Sequence, residues 1–315
     1  MNGYPLMLRP DGGSRMIAFG TTGIVCQNSC HTEQVIKAPL KYKLDGCSAD
    51  VIERTLDGEE FARPCFEREK IIYKTLPKDP NILNCIEVTD DCIHLPFLRL
   101  GNLRDYLENH DRQVQAQTRE QWIPMAVDAI ALIYRFGVIH ADISTRNFLV
   151  ADDLSIKLCD FSGSAIGAES ALVLEEDRYQ IAPDSPRSIA TDIFALGCLI
   201  FEISTGLRPY HEICDDDYQE IERRYSIGHF PSVDGLPYRK IIHKCWTGQY
   251  TDVSQLKDDL QKRDRSTRLF LPAFFSGSGA GVTMAWVLSL TTSTLAAGFL
   301  FWWSSRRGYW RSTDG

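Results

Sequence analysis

Short apolar runs broken by turn-forming residues occupy the first ninety or so positions, and longer runs with helical spacing occupy most of the remainder. "RMIAFG" and "GIVCQ" lie around "GTTG", and a third run, "EQVIKAP", is bounded by proline, which predicts a β-hairpin and a following strand over residues 15–39. A Gly- and Asp-containing spacer, residues 44–60, leads to "CFEREKIIYKTL", where Phe66, Ile72, Tyr73 and Leu76 recur near helical spacing. That predicts one helix among the strands. "CIEV" and "CIHLPF" predict two more strands. From Gly101 onward the pattern is helical, in "NLRDYLENH", "WIPMAVDAIALIYRFG", "TDIFALGCLIFEISTG", "DYQEIERRY", "YRKIIHKCW" and "VSQLKDDLQKR". There is no internal repeat. The pattern predicts an α+β chain, a small β-rich lobe followed by a larger helical lobe, with "VIHADISTRNFLV" (residues 138–150) at the junction.

The pattern breaks near the C-terminus, where 37 consecutive residues between Arg268 and Arg306 carry no charge. A glycine- and serine-containing linker, 269–281, precedes a 22-residue apolar run, 282–303, and a short basic tail, 304–315. As a helix that run would span about 33 Å, close to the hydrocarbon thickness of a bilayer. Trp302, Trp303 and the following Arg306, Arg307 and Arg311 suit an interface belt with a basic flank, whereas six Ser and Thr residues dilute the run and leave a buried helix open. The expectation is a transmembrane tail anchor, with membrane association through this helix and residues 1–268 on the cytoplasmic side.

The charged and apolar fractions, 24% and 44%, are those of a globular protein. A net charge of -8 without a basic stripe argues against nucleic acid as partner. Ten cysteines without disulfide-domain spacing, and no charged-then-apolar leader, favour a reduced compartment. Cys26, Cys30 and His31 form the one metal-like cluster, and it lacks the second ligand pair that zinc sites need.

Alone, the His140, Asp142 and Asn147 packet in "HADISTRN" could be a turn or a helix cap. In order with other motifs it resembles the catalytic loop of eukaryotic protein kinases. "IAFGTTGIV" is similar to the family's glycine-rich hairpin, "QVIKAP" to the strand bearing its ATP lysine, and "LPFLRLGNL" to its hinge. Downstream, "IKLCDFSGS" is similar to the strand entering Asp-Phe-Gly, "IAPD" to Ala-Pro-Glu, and "TDIFALGCLIFEISTGLRPY" to the central helix of the large lobe. The resemblance covers about residues 15–266, with an N-lobe at 15–95, a hinge at 96–98 and a C-lobe at 99–266. Its wording is most like that of divergent kinase-like proteins of filamentous fungi.

The resemblance implies a bilobal fold, ATP and Mg²⁺ as cofactors and a protein substrate. It makes Asp142 the base for the substrate hydroxyl, and Asn147 and Asp160 the magnesium ligands. Lys37 would reach the α and β phosphates, oriented by Glu69; Glu67 is the competitor for that role. Gly20 and Gly23 would let the hairpin backbone approach phosphate. Leu95, Pro96, Leu98 and Leu149 fall at the nucleotide pocket: Leu95 as gatekeeper, Pro96 as the first hinge residue and Leu98 as the third, its N–H intact. His140 and Asp192 are scaffold positions by the same resemblance.

Departures from the pattern matter. Ala18 replaces a hairpin glycine and Ser162 the glycine after Asp-Phe. Ala141 replaces an arginine that pairs with activation-segment phosphate, so activity should not depend on phosphorylation at Ser164, Ser170 or Tyr179. Ser144 stands where serine/threonine kinases carry lysine, and Arg146 matches the arginine of tyrosine kinases. Asp184 shortens the Ala-Pro-Glu acid, so a buried ion pair is expected to be lost. The expected function is an ATP-dependent protein kinase, serine/threonine by family membership, with Asp142, Lys37 and Arg146 at the reacting centre. A scaffold that binds nucleotide without efficient transfer is the alternative. A small-molecule phosphotransferase is disfavoured by "IAPD", "TDIFALG" and "KCW".

Overall fold

The structure, a computed structural model, describes residues 4–110 and 113–270. The chain divides into two units, residues 1–262 and 263–315, the first of which holds both lobes. Its N-terminal part contains β1 (Leu6–Met7), β2 (Gly13–Phe19), β3 (Ile24–Asn28), β4 (Gln34–Ala38), β5 (Tyr42–Lys43), α1 (Ala49–Thr75), β6 (Glu87–Val88) and β7 (Ile93–Pro96). An antiparallel sheet runs in the order β2-β3-β4-β7-β6, and β1 pairs separately with β5. The folded lobe therefore includes chain ahead of residue 15.

After β7 the chain forms α2 (Leu103–His110), α3 (Ala116–Arg135), β8 (Val138–Ile139), β9 (Phe148–Val150), β10 (Ile156–Leu158) and β11 (Ala165–Ile166). It then forms α4 (Ile189–Thr205), α5 (Tyr218–Ser226), α6 (Arg239–Trp246) and α7 (Val253–Phe270). All six helices expected after Gly101 are present. The expectation of a β-sheet lobe followed by a helical lobe is met. The expected membrane helix, 282–303, lies outside the described residues; among those described, no helix is long and apolar enough to cross a membrane.

Two boundaries differ from the pattern. The expected spacer 44–60 belongs largely to α1, which runs 27 residues with Pro64 inside it. A glycine and a proline within twenty residues read as breakers, because one raises backbone entropy and the other removes a donor. Burial of Ala62, Cys65 and Phe66 on either side of Pro64 offsets those costs. In the same way α3 starts six residues before Trp122 and carries Pro124.

Helix α4 is apolar around its circumference and buried from Thr191 to Ile203, as a helix at the centre of a lobe must be. Its N-terminus is closed by a reciprocal capping box between Ser188 and Thr191. Its two buried acids, Asp192 and Glu202, have burial costs that partners must offset. The main core runs from Val35, Phe66 and Ile72 of the sheet lobe through Phe161 to α3 and α4, so the lobes share one apolar cluster. Cys26 is fully buried in a smaller cluster with Ile24, Ala38 and Leu40, while Cys30 is exposed. Among the described residues no three His, Cys, Asp or Glu side chains could hold a metal between them.

Candidate functional site

The segment 138–160 hangs from one carboxylate. Asp192, in the first turn of α4, accepts the N–H groups of His140 at 2.8 Å and Ala141 at 2.9 Å, and the Tyr134 hydroxyl at 3.2 Å. Burial pushes the Asp192 carboxyl up to about 7, and these donors act against it. So fixed, Ala141 adopts φ 64, a left-handed conformation that costs a residue with a Cβ about 1 kcal/mol or more. His140 is buried, and its Nε2 donates to the Cys159 carbonyl at 3.2 Å. Burial pushes the His140 pKa down to about 4, so the ring is a neutral strut at pH 7.

Strands β9 and β10 pair antiparallel and bring the two acidic motifs together. Asn147 Nδ2 donates to the Asp142 carbonyl at 2.5 Å, and Cys159 N–H donates to the Asn147 carbonyl at 2.9 Å. Asn147 therefore sits against the residue that precedes Asp160. Its amide nitrogen is committed, which leaves the amide oxygen as the atom able to meet a cation.

The second half of the site comes from the sheet lobe. Lys37, on β4, is buried, with Nζ 2.6 Å from Glu69 Oε2 and 2.9 Å from Asp160 Oδ1. Glu69 is fully buried on α1, whereas the alternative, Glu67, is exposed and pairs with Lys70. Geometry thus selects Glu69. Burial works to lower the Lys37 pKa, and Asp160 and Glu69 outweigh it, so the ammonium is held above its ordinary value. Burial pushes Glu69 up to about 7 even with Lys37 beside it. Asp160 adopts φ 61, and the next residue, Phe161, packs edge-on against Tyr73 of α1 at 5.3 Å. That contact carries α1, and with it Glu69, toward the motif.

Of the expected nucleotide-pocket residues, Leu95, Pro96 and Leu98 lie at the connection between lobes and Leu149 lies on β9. Leu95 is buried on β7, and Pro96 ends that strand opposite Gln34. The Leu98 carbonyl accepts from Gly101 N–H at 3.2 Å in a turn, while Leu149 is half-buried on β9. The two hairpin glycines differ. A Cβ at Gly23 would lie 2.7 Å from the Ala38 carbonyl oxygen, so packing alone demands glycine; at Gly20 nothing lies within 4 Å. The loss of glycine at 162 has a local remedy, since Gly163 takes a left-handed φ of 82 instead.

Several polar contacts went unread in the sequence. Arg104 of α2, buried, donates to Glu176 at 2.7 Å, Thr145 Oγ1 at 3.1 Å and Glu202 at 3.2 Å. Arg146 Nε lies 3.6 Å from Glu176 and Tyr179 donates its hydroxyl to Glu202, so the segment at 145–146, the chain before α4, α2 and α4 meet in one network. A signal was available: Glu202 in an otherwise apolar helix has to find a partner. Arg68, beside Glu69, donates to the carbonyls of Ser164 and Ser170 and pairs with Glu169. Asp184 is exposed, in keeping with the expected loss of a buried ion pair at that position, and a separate buried pair joins Glu175 to Arg187 at 2.5 Å. That pair links residues twelve apart, a relationship that only the folded loop creates.

Similarity to known proteins accords with this geometry. A family model described as protein tyrosine and serine/threonine kinase matches residues 29–260 of the 315. The tyrosine-protein kinase transforming protein Abl of Abelson murine leukemia virus is 27% identical over 232 residues, covering 67% of this chain and 30% of the relative. The tyrosine-protein kinase Abl of Drosophila melanogaster is 26% identical over 232 residues, 64% of this chain and 13% of the relative. A putative serine/threonine-protein kinase/receptor of Acanthamoeba polyphaga mimivirus is 25% identical over 193 residues, 57% of this chain and 12% of the relative. The chain spans less than a third of the length of these curated relatives.

Proposed function

The chain belongs to the protein tyrosine and serine/threonine kinase family, and from that premise we propose that it transfers the γ-phosphoryl group of ATP to a protein hydroxyl. The contact that carries this reading is the triad in which buried Lys37 Nζ bridges the fully buried Glu69 and the partly exposed Asp160. A cation fixed between two carboxylates from different lobes is costly to bury and has little value to stability alone. It fits a site that must present positive charge to phosphate and carboxylate oxygen to a metal.

The donor set suits magnesium and ATP. Asp160 and Asn147 supply hard oxygens, and Lys37 supplies the cation. Bound together, magnesium and ATP would provide the phosphoryl group and neutralise charge that develops as it transfers. The chain's residues then have separable tasks. Lys37 holds the phosphates, and Glu69 keeps Lys37 extended across the cleft. Asp142 accepts the proton of the attacking hydroxyl, its backbone fixed by the Asn147 amide. Arg146 lies at the same loop, where it is shared with Glu176. Leu95, Pro96, Leu98 and Leu149 line the nucleotide's base, and Gly20 and Gly23 form the turn over its phosphates.

The acceptor is a protein side-chain hydroxyl. Serine and threonine were expected from family membership, but the relatives include tyrosine kinases, and Ser144 replaces the lysine of the serine/threonine class. Phosphoamino-acid analysis of the product assigns it. For location, the apolar run 282–303 supports a tail anchor with the kinase domain in the cytoplasm; full-length protein that remains in the soluble fraction would dispose of it.

The test is phosphate transfer from ATP to a generic protein substrate by the full-length chain, with Asp142→Asn as control. Transfer that depends on Asp142 supports the proposal, and transfer that survives the substitution overturns the mechanism. One observation favours a second reading, a nucleotide-binding scaffold: the Ser162 hydroxyl and Lys37 both occupy Asp160 Oδ1, the oxygen a metal would need. Nucleotide binding without any transfer is the outcome that selects it.

A further inference from the structure

The tip of the glycine-rich hairpin is tied to the metal-binding motif by a chain of hydroxyls. Thr22 lies in the four-residue loop that joins β2 to β3, closed by a bond from Gly20 N–H to the Gly23 carbonyl at 2.9 Å. A polar residue at such a tip would ordinarily face solvent, yet Thr22 is only 5% exposed. Its Oγ1 lies 3.0 Å from Ser162 Oγ. Ser162 is itself buried, and its hydroxyl donates to Asp160 Oδ1, the oxygen that also receives Lys37 Nζ at 2.9 Å. Since an ionised carboxylate can only accept, the Ser162 proton points to Asp160 and its lone pair accepts from Thr22. The sequence of bonds is therefore Thr22 to Ser162 to Asp160, with Lys37 and Glu69 beyond. Each bond in such a series polarises the next, and the charged end strengthens the first.

We propose that Ser162 is a positioning residue: through Thr22 it fastens the hairpin down on the Asp160 carboxylate in the nucleotide-free protein, so that nucleotide entry requires this hydroxyl latch to open. A glycine at 162 could not do this, having no hydroxyl. The backbone freedom that glycine supplies is kept by Gly163, so the serine is accommodated without losing the turn. The latch explains why Thr22 is buried. It also gives the carboxylate a fixed rotamer before any metal arrives. The gating half of the proposal rests on the nucleotide-binding reading; the latch itself does not.

The test separates the two. Thr22→Val removes the hydroxyl at nearly constant volume, and Thr22→Ser keeps it. Hydrogen exchange of the peptide spanning residues 13–28 is followed in the full-length, nucleotide-free protein. Loss of one buried hydrogen bond should speed exchange roughly fivefold in Thr22→Val, leave Thr22→Ser close to wild type, and give Ser162→Ala the same increase. Combining Thr22→Val with Ser162→Ala should add nothing to exchange of this peptide, because the Thr22–Ser162 bond is the one tie to it that both remove. Exchange in Thr22→Val equal to wild type, or effects that add, overturns the latch. In a second arm, association of a fluorescent ADP analogue with magnesium is timed. Faster association in Thr22→Val by a similar factor supports gating; unchanged association with faster exchange overturns gating and leaves a structural tie. If no variant, wild type included, binds the analogue, the nucleotide reading fails, while the exchange result still decides the latch.

Discussion

The Glu176 carboxylate meets the Arg104 guanidinium at 2.7 Å in the interior of the helical lobe, joining the chain before α4 to α2. Burial would raise the Glu176 pKa, but Arg104 and Arg146 outweigh it and bring it down to about 2. A carboxyl whose folded pKa is depressed adds stability above its unfolded value of about 4.5 and loses it as pH falls toward 2. Glu176→Gln leaves Arg104 with Glu202 as its carboxylate partner beside the Thr145 hydroxyl, and should cost about 3 kcal/mol at pH 7 in urea unfolding. The difference from wild type should shrink steadily below pH 4. A difference that stays constant to pH 3 would show that the pair is not ionised as described.

Lys37→Met should lower the transfer rate by about 100-fold or more, the usual consequence of removing a fixed charge at a reacting centre. Far-UV circular dichroism should remain that of the wild type, because Glu69, already pushed up to about 7, can take a proton once its partner is gone. Initial rates with the purified variants check this. Glu69→Gln should give a smaller loss, weighted toward weaker nucleotide binding.

Activation-segment order comes from arginines already in place. Arg68 holds the carbonyls of Ser164 and Ser170, and Arg104 and Arg146 hold Glu176. Of the three phosphorylation candidates, Ser164 is buried with its hydroxyl on the His140 carbonyl, and Tyr179 is buried against Glu202. Only Ser170 among them is exposed. Ser170→Ala should leave transfer within about twofold of wild type, whereas Arg68→Met should reduce it by about tenfold while the helical lobe stays folded. Parallel rate and thermal-unfolding measurements distinguish these outcomes, and a Ser170→Ala variant without activity would refute phosphorylation-independence.

His140 supplies a pH dependence of its own. Its folded pKa of about 4 lies below the unfolded value of about 6.5, so the unfolded chain binds the extra proton first. Stability attributable to this ring is full above pH 6.5 and is lost as pH falls toward 4, by up to about 3 kcal/mol. His140→Gln, which cannot titrate, should be less stable than wild type at pH 7 and show a shallower decline between pH 6.5 and 4. Urea midpoints across that range provide the check, with a parallel decline in both proteins as the contrary result.

Much of this protein was legible from local pattern. Alternation and turn residues located β2, β3, β4 and β7, and helical spacing located α2 through α7, because each depends on neighbours within a few positions. Resemblance of ordered motifs to the protein-kinase pattern named Lys37, Glu69, Asp142, Asn147 and Asp160 as the expected site residues. The register of the apolar positions favoured Glu69 and left Glu67 as its competitor; in the fold Glu69 is the one that pairs with Lys37, and Glu67 pairs with Lys70. Pro64 and Gly58 concealed the first half of α1, because a propensity penalty of a few kcal/mol is visible locally and the packing that offsets it is not. Contacts between residues far apart in sequence were decided by tertiary structure alone: Arg104 with Glu176, Glu175 with Arg187, and Thr22 with Ser162. A side chain's type shows that it needs a partner. Only the folded chain, by bringing distant segments within 3 Å, determines which partner it has.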